Sequence, residues 1–432
     1  MRGAGSALHL GVPPRSAPAF VTLVWLTVLA LMGPAAAQTA TYAPYPAETE
    51  IPPVFPSEVA YRLEVLADEL PVPVAVTPLD DGSGRLLLVS LLGRVWLLEG
   101  YEMRPEPFLD LAARVTGLQG EQGLFSVTLE PAGSSGSVST SRRIVAAFTE
   151  SGSGDLLVAA YPLAPDLSGA DWTVEDEILR VEMPEPFHHG GQVAFGPDGM
   201  LYVSVGSGEI STERLHHTPA PSQDPTSLLG KLLRLDLDRQ PYDVPPDNPL
   251  TASSDPAAAS AGARPEIWAS GFRNPWKLTF GPAGELYLAD VGADRWEEVN
   301  LVEKGGNYGW PAREGSECFI FPDMAAYVDP NCLSDVFEDP LVAYAHLRLD
   351  PQGGQAVTGG TVVADPALPE LEGRYVYGDF VTGRVWSYDP QLRRVELLLE
   401  TGVAISDISS GANGELLVLG IGGSLSRVVH AD

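Results

Sequence analysis

GPDGMLYVSVG (196–206) is a tight turn followed by a short apolar strand, and its reading decides the fold. The same phrase returns as DGSGRLLLVS (81–90), SRRIVAAF (141–148), GPAGELYLADVG (281–292), LEGRYVYGDF (371–380) and GANGELLVLG (411–420). The strand cores begin at Leu86, Ile144, Leu201, Leu286, Tyr375 and Leu416. Several are followed by a second strand: GRVWLLEG (93–100), DLLVAAYPL (155–163), GKLLRLDLD (230–238), GRVWSYDP (383–390) and GSLSRVVH (423–430). Such pairs are antiparallel hairpins, with glycine taking the positive φ of the turn and branched or aromatic side chains filling the pleat. Six hairpin units predict an all-β chain, a six-bladed β-propeller of four-stranded antiparallel blades. A β-sandwich also has many short strands, but it has no need for one phrase to recur six times. The longest gaps follow the third and fourth units, and insertions of that kind usually sit on a functional face.

Outward from the repeat, residues 59–432 are expected to form the propeller. Residues 38–58, QTATYAPYPAETEIPPVFPSE, lack periodic apolar spacing and read as a Pro-rich linker. Residues 1–37 carry only Arg2 and Arg15 as charges, an apolar run over 17–32, and then Gly33-Pro34-Ala35-Ala36-Ala37. That is the pattern of a signal peptide cleaved near Ala37, which implies export to the periplasm or the extracellular space and no membrane span in the mature chain. The run is shorter than the ~20 residues that a spanning helix needs, which favours cleavage over the alternative of an uncleaved membrane anchor.

The whole chain has 26 Lys and Arg against 57 Asp and Glu, a net charge of −31; losing Arg2 and Arg15 leaves 24 against 57, or −33. A field of that sign repels phosphate backbones and excludes nucleic acid as a partner. The two cysteines, Cys318 and Cys332, lie in a loop containing Pro and Asp, where an exported chain is expected to close a disulfide.

Four segments could carry chemistry. His188 and His189 precede the third strand core, and Gly190-Gly191 beside them lets a flat ligand approach the backbone. A histidine here is either a proton acceptor or a structural loop residue. Arg273-Asn274-Pro275-Trp276 offers a cation, an amide and an aromatic face. That set suits an anionic or polar ligand, or simply an arginine stacked on tryptophan. Glu297 and Glu298 stand ahead of the turn Gly305-Gly306-Asn307-Tyr308-Gly309-Trp310-Pro311, where carboxylates and exposed carbonyls suit calcium, or are merely solvated. Glu121 and Gln122 precede a strand of the first or second blade.

Taken together, HHGGQVAFGPDGMLY (188–202), LLGKLLRLD (228–236), GFRNPW (271–276) and EEVNLVEKGGNYGWP (297–311) resemble the soluble glucose/sorbosone dehydrogenase family. That family includes aldose sugar dehydrogenases and hedgehog-interacting-protein-like members, and residues 358–386 resemble the latter branch most. The resemblance implies a propeller that binds pyrroloquinoline quinone (PQQ) and calcium and passes hydride from a sugar hydroxyl to the quinone, with an unidentified final electron acceptor. It implies His188, rather than His189, as the base, with Arg273 and Asn274 contacting cofactor and substrate. Backbone carbonyls of Gly292 and Ala293 would hold the cofactor's calcium, Glu298 and the Tyr308 carbonyl a second calcium, and Glu121 would line the substrate site.

Two departures stand out. The family's acid after the third strand is replaced by Ser207, leaving Glu209 as the nearby carboxylate. The cations that grip the quinone have no aligned counterpart, so Lys231 and Arg384 are candidates by charge only. The function expected from these motifs is an exported quinone-dependent sugar or alcohol dehydrogenase; the alternatives are a non-catalytic glycan- or protein-binding propeller and a calcium-dependent lactonase-like hydrolase. The oligomeric state is not encoded in any of these motifs.

Overall fold

In a computed structural model, residues 53–79, 81–115, 119–131, 142–209, 220–319, 332 and 335–431 are described. The expected leader 1–37 and the first part of the linker lie outside them. Six antiparallel sheets follow one another along the chain, each built on four strands that run in sequence order from the inside outward, except that the sixth takes its outer strand from near the start of the described chain; two of the sheets carry a fifth strand. The second strand of every blade is the recurring phrase: Leu86–Ser90, Arg143–Thr149, Leu201–Val205, Leu286–Asp290, Tyr375–Asp379 and Leu416–Gly420. These strands are apolar because neighbouring blades cover them on both faces; every residue in them is buried.

The innermost strands are Pro73–Pro78, Leu124–Leu129, Gly190–Phe195, Pro275–Phe280, Val357–Val362 and Ile405–Ser410, in blades one to six. Each packs against the next, and the sixth returns to the first, so the ring is closed. All six carry a register shift near their first residue, between Pro73/Ala75, Leu124/Ser126, Gly190/Val193, Pro275/Lys277, Val357/Gly359 and Ile405/Asp407. A bulge bends a strand and re-aims the side chains beside it. Six such bends at equivalent places turn the strand entrances toward one axis.

Side chains fasten every joint of the ring to backbone. Thr77 Oγ1 donates to Val127 O, Ser126 Oγ to Gly191 O, Thr279 Oγ1 to Gly360 O, Thr358 Oγ1 to Ile405 O and Ser406 Oγ to Pro73 O. At the joint between blades three and four, Asn274 Oδ1 accepts the Gly190 N–H. Closure is completed by the termini: Tyr61–Ala67 forms the outer strand of the sixth blade against Ser424–His430. The end of the stretch read as a linker is ordered as well. Val54–Pro56 adds in parallel to Arg394–Glu400 at the outer edge of blade five, where the edge strand has unpaired backbone groups to satisfy.

The long insertion in blade four carries the expected disulfide between Cys318 and Cys332, with Cα atoms 5.3 Å apart. Among the described residues no helix is long and apolar enough to cross a membrane.

Candidate functional site

Three consecutive blades deliver the expected residues to one end of the hub. Glu121 precedes the inner strand of blade two, His188 that of blade three, and Arg273 with Asn274 that of blade four. Glu121 Oε2 accepts the His188 N–H at 2.7 Å and the Asn274 side-chain amide at 3.3 Å. The backbone N–H groups of Arg273 and Asn274 both donate to the Asp290 carboxylate, at 2.9 and 2.6 Å. Arg273 O accepts the Ser207 N–H at 2.8 Å, which ties the loop after the third-blade strand to the fourth blade. Glu121, His188, Arg273 and Asn274 therefore belong to one hydrogen-bonded cluster.

His188 is buried and sits at φ 52°, in the left-handed region that side-chain-bearing residues avoid. Such a conformation costs about 1–3 kcal/mol and survives only where surrounding bonds fix it. Here the N–H is held by Glu121, and the carbonyl accepts the Gly208 N–H at 3.0 Å. A Cβ at position 206 would stand 1.9 Å from His188 O, so only glycine permits this approach. Nδ1 donates to the backbone carbonyl of Glu209. Burial, and secondarily the Arg273 charge, hold the imidazole well below its ordinary value of 6.5, so it is neutral. With Nδ1 as the donor, Nε2 carries the lone pair and has no hydrogen-bond partner among the described residues.

The orienting role that sequence could assign to the Glu209 carboxylate thus belongs to that residue's backbone carbonyl. Ser207 Oγ is buried without a hydrogen-bond partner among the described residues, so it makes no hydrogen bond to the imidazole. His189 is structural: Nδ1 meets Thr149 Oγ1 at 3.1 Å and Nε2 meets Glu185 O at 3.0 Å.

Gly292 and Ala293 are next to the cluster, but their backbone is already engaged. Arg273 donates to Val291 O at 2.8 Å and to Gly292 O at 2.6 Å, while its guanidinium lies 5.6 Å from the Trp310 ring centroid. One of the two carbonyls assigned to a cofactor-associated calcium is therefore capped by a cation. The Ala293, Asp294 and Arg295 N–H groups donate to Glu314 Oε1 at 2.7, 2.7 and 2.9 Å.

Glu298 lies across the sheet from Asp290 and accepts the Gly315 N–H and the Asn300 amide. Burial pushes Glu298 well above the usual carboxylate range, reinforced by Asp290 and Glu314, and draws Asp290 up to about 7. Glu314 Oε2 and Asn300 Oδ1 are buried acceptors without partners among the described residues. Tyr308 is buried, its hydroxyl donating to Leu301 O at 2.8 Å and its N–H to Ser270 O at 2.9 Å. Among the described residues no group of three or more His, Cys, Asp or Glu side chains is arranged to hold a metal ion.

A tricarboxylate such as PQQ needs cations with free donors. Lys231 Nζ donates to the carbonyls of Pro221, Ser222 and Leu229 at 2.8, 2.9 and 2.7 Å, which uses its three protons. Arg384 is bonded to Glu400 and to the carbonyls of Pro351 and Gly353. Among the described residues Arg273 alone keeps donors in the cluster, and its charge acts on the Glu121 carboxylate. Among the described residues, the hub side chains do not fit a tightly held tricarboxylate.

Sequence reading missed one charged pair on the axis: Lys277 of blade four and Asp407 of blade six form a buried ion pair. A signal was present. Each lies nine positions ahead of its strand core, 277 against Leu286 and 407 against Leu416.

A family model described as Glucose / Sorbosone dehydrogenase matches residues 70–426. The aldose sugar dehydrogenase YliI of Escherichia coli is 31% identical over 382 residues, covering 83% of this chain and 89% of that protein. The HIPL1 protein of Arabidopsis thaliana is 36% identical over 228 residues, 49% of this chain and 31% of that protein. The chain thus matches about a third of HIPL1's length. Among solved structures, the apo-form of soluble aldose sugar dehydrogenase from Escherichia coli superimposes with a TM-score of 0.68 at 26% identity, covering 86% of this chain and 100% of the other. The chain belongs to the glucose/sorbosone dehydrogenase family.

Proposed function

We propose that the protein is an exported sugar-binding propeller whose hub engages a neutral saccharide hydroxyl through His188 Nε2. The observation that carries this reading is the neutral imidazole with Nδ1–H committed to Glu209 O, which leaves an acceptor nitrogen beside Arg273, Asn274 and Glu121. A sugar hydroxyl donates to that nitrogen and accepts from the guanidinium or the amide. The Glu121 carboxylate fixes the His188 backbone and the Asn274 amide together, so acceptor and donors keep their spacing. Removal of the leader 1–37 accounts for export, and the Cys318–Cys332 bond suits that compartment. Calorimetric titration with a panel of neutral aldoses tests the reading. Binding is expected in the wild type and at least about tenfold weaker in His188→Ala, the loss of roughly one hydrogen bond; equal affinity in both would remove it.

A second reading is the quinone-dependent dehydrogenase that the resemblance implies, favoured by the same basic nitrogen. In it His188 Nε2 would take the hydroxyl proton and Arg273 and Asn274 would orient the substrate, while PQQ, were it held there, would supply the hydride acceptor. The committed cations weigh against it. Calcium in this reading is drawn to the oxygens of Glu298, Asn300 and Glu314, which are of the class hard cations take. Reduction of an artificial dye by aldose, dependent on added PQQ and calcium, would establish this reading over the first.

A further inference from the structure

We propose that the Lys277–Asp407 ion pair is a specificity element of the hub, locking an axial cation onto an internal carboxylate so that the pocket takes uncharged ligands and rejects anionic ones. The inference rests on the saccharide reading only for the identity of the preferred ligand.

Both residues are the first paired positions after the register shift of their inner strands, three residues beyond Asn274 in the case of Lys277. They come from blades four and six, so the lysine side chain must pass the inner strand of blade five. It does so at Gly359, where φ is +80° and a Cβ would stand 2.8 Å from Lys277 Cβ and 3.0 Å from Ala289 Cβ. A side chain at 359 would crowd the lysine's path; glycine leaves it open.

Asp407 is fixed independently of the lysine. Its Oδ2 accepts the Val76 N–H of blade one at 2.9 Å and the Ser409 hydroxyl at 3.0 Å, leaving Oδ1 for the ammonium. Both side chains are buried, with 10% and 1% of their surface exposed. Parting a buried pair leaves each charge unsatisfied and is strongly unfavourable. An incoming carboxylate therefore cannot recruit Lys277 without abandoning Asp407 to bare burial. The other cations noted above offer no substitute: Lys231 and Arg384 are committed, and Arg273 shares its space with Glu121. A neutral polyol meets no such obstacle, because it needs only hydrogen-bond donors and acceptors.

The test compares two ligands on intact protein: PQQ as a soluble tricarboxylate, followed by quenching of protein fluorescence, and a panel of neutral aldoses, followed by calorimetry. In the wild type, aldose binding is expected with PQQ bound weakly. Asp407→Asn keeps an acceptor for Val76 and frees the ammonium, so the ratio of PQQ to aldose affinity is expected to rise at least tenfold. Should that variant not fold by near-ultraviolet circular dichroism, Asp407→Ser provides the same measurement. The double variant Lys277→Met with Asp407→Asn keeps the acceptor for Val76 but removes the cation, and is expected to keep the wild-type ratio.

An unchanged ratio in Asp407→Asn would overturn the inference. So would tight PQQ binding by the wild type, or an equal gain in the double variant without the cation, which would mean that the hub had merely loosened. If no protein binds any aldose while PQQ affinity still rises in Asp407→Asn, the saccharide reading falls and the specificity element stands.

Discussion

Replacing Glu121 by alanine perturbs the bond on which the His188 geometry depends. The structure gives Glu121 Oε2 two donors, the His188 N–H at 2.7 Å and the Asn274 amide at 3.3 Å. Hydrogen bonds to a charged acceptor contribute about 1.5–3 kcal/mol, and an abandoned buried N–H costs a further ~1–3 kcal/mol. Against this, burial raises the Glu121 carboxyl above its ordinary value, so removing it relieves part of a desolvation cost. The expected net loss is about 2 kcal/mol of folding stability. His188, freed from one of the bonds that hold φ at 52°, should also relax toward ordinary backbone, weakening aldose binding. Urea unfolding at pH 7, with aldose calorimetry on the same samples, reads both effects. Glu121→Gln keeps a carbonyl oxygen for the His188 N–H and should recover roughly half of the loss. Exposed Glu106→Ala should change stability by less than about 0.5 kcal/mol. If Glu121→Ala behaves like Glu106→Ala in both assays, the carboxylate does not support the site and the reasoning fails.

Further outcomes can be checked separately. Gly206→Ala places a Cβ 1.9 Å from His188 O and should destabilise by at least about 3 kcal/mol, read by denaturant midpoint, because both segments are fixed by neighbours. Asp290, at about 7, holds a proton in the folded state that the unfolded chain releases near 3.8. Its contribution is full below about pH 4 and is lost as pH rises through 7, by up to about 1.4 kcal/mol per pH unit per proton. Thermal unfolding between pH 4 and 8 should show this fall, flattened in Asp290→Asn. His188 acts in the opposite sense: the unfolded imidazole gains a proton below about 6.5 while the folded one stays neutral, so stability from this group is lost as pH falls below 6.5. His188→Phe should remove that dependence. Breaking the Cys318–Cys332 bond, whose partners are 14 residues apart, should cost about 3 kcal/mol by the chain-entropy model, read by unfolding with and without reductant.

The propeller was legible because its second strands are buried on both faces. That demands the same apolar phrase in every blade, and GPDGMLYVSV and GPAGELYLAD are nearly interchangeable. The inner strands were not legible as a repeat. They face the axis, where each position meets a different neighbour, so PVAVTP, GGQVAF and ISDISS share no pattern. His188, Arg273, Asn274 and Glu121 were found because they flank the repeats in recognisable phrases. The lysine–aspartate pair was not, since an ion pair between residues 130 positions apart leaves no local trace beyond an isolated charge. Glu209 shows another limit: sequence points to its carboxylate, while the loop presents its backbone carbonyl to His188. The capping of Gly292 O by Arg273 was equally invisible, because both are ordinary members of their motifs.

The most direct test of the account is a crystal structure of the protein with a neutral aldose bound. It should show a sugar hydroxyl within hydrogen-bond distance of His188 Nε2, with Arg273 or Asn274 donating to the same sugar. An aldose seated away from the hub, or one that leaves the imidazole untouched, would contradict it.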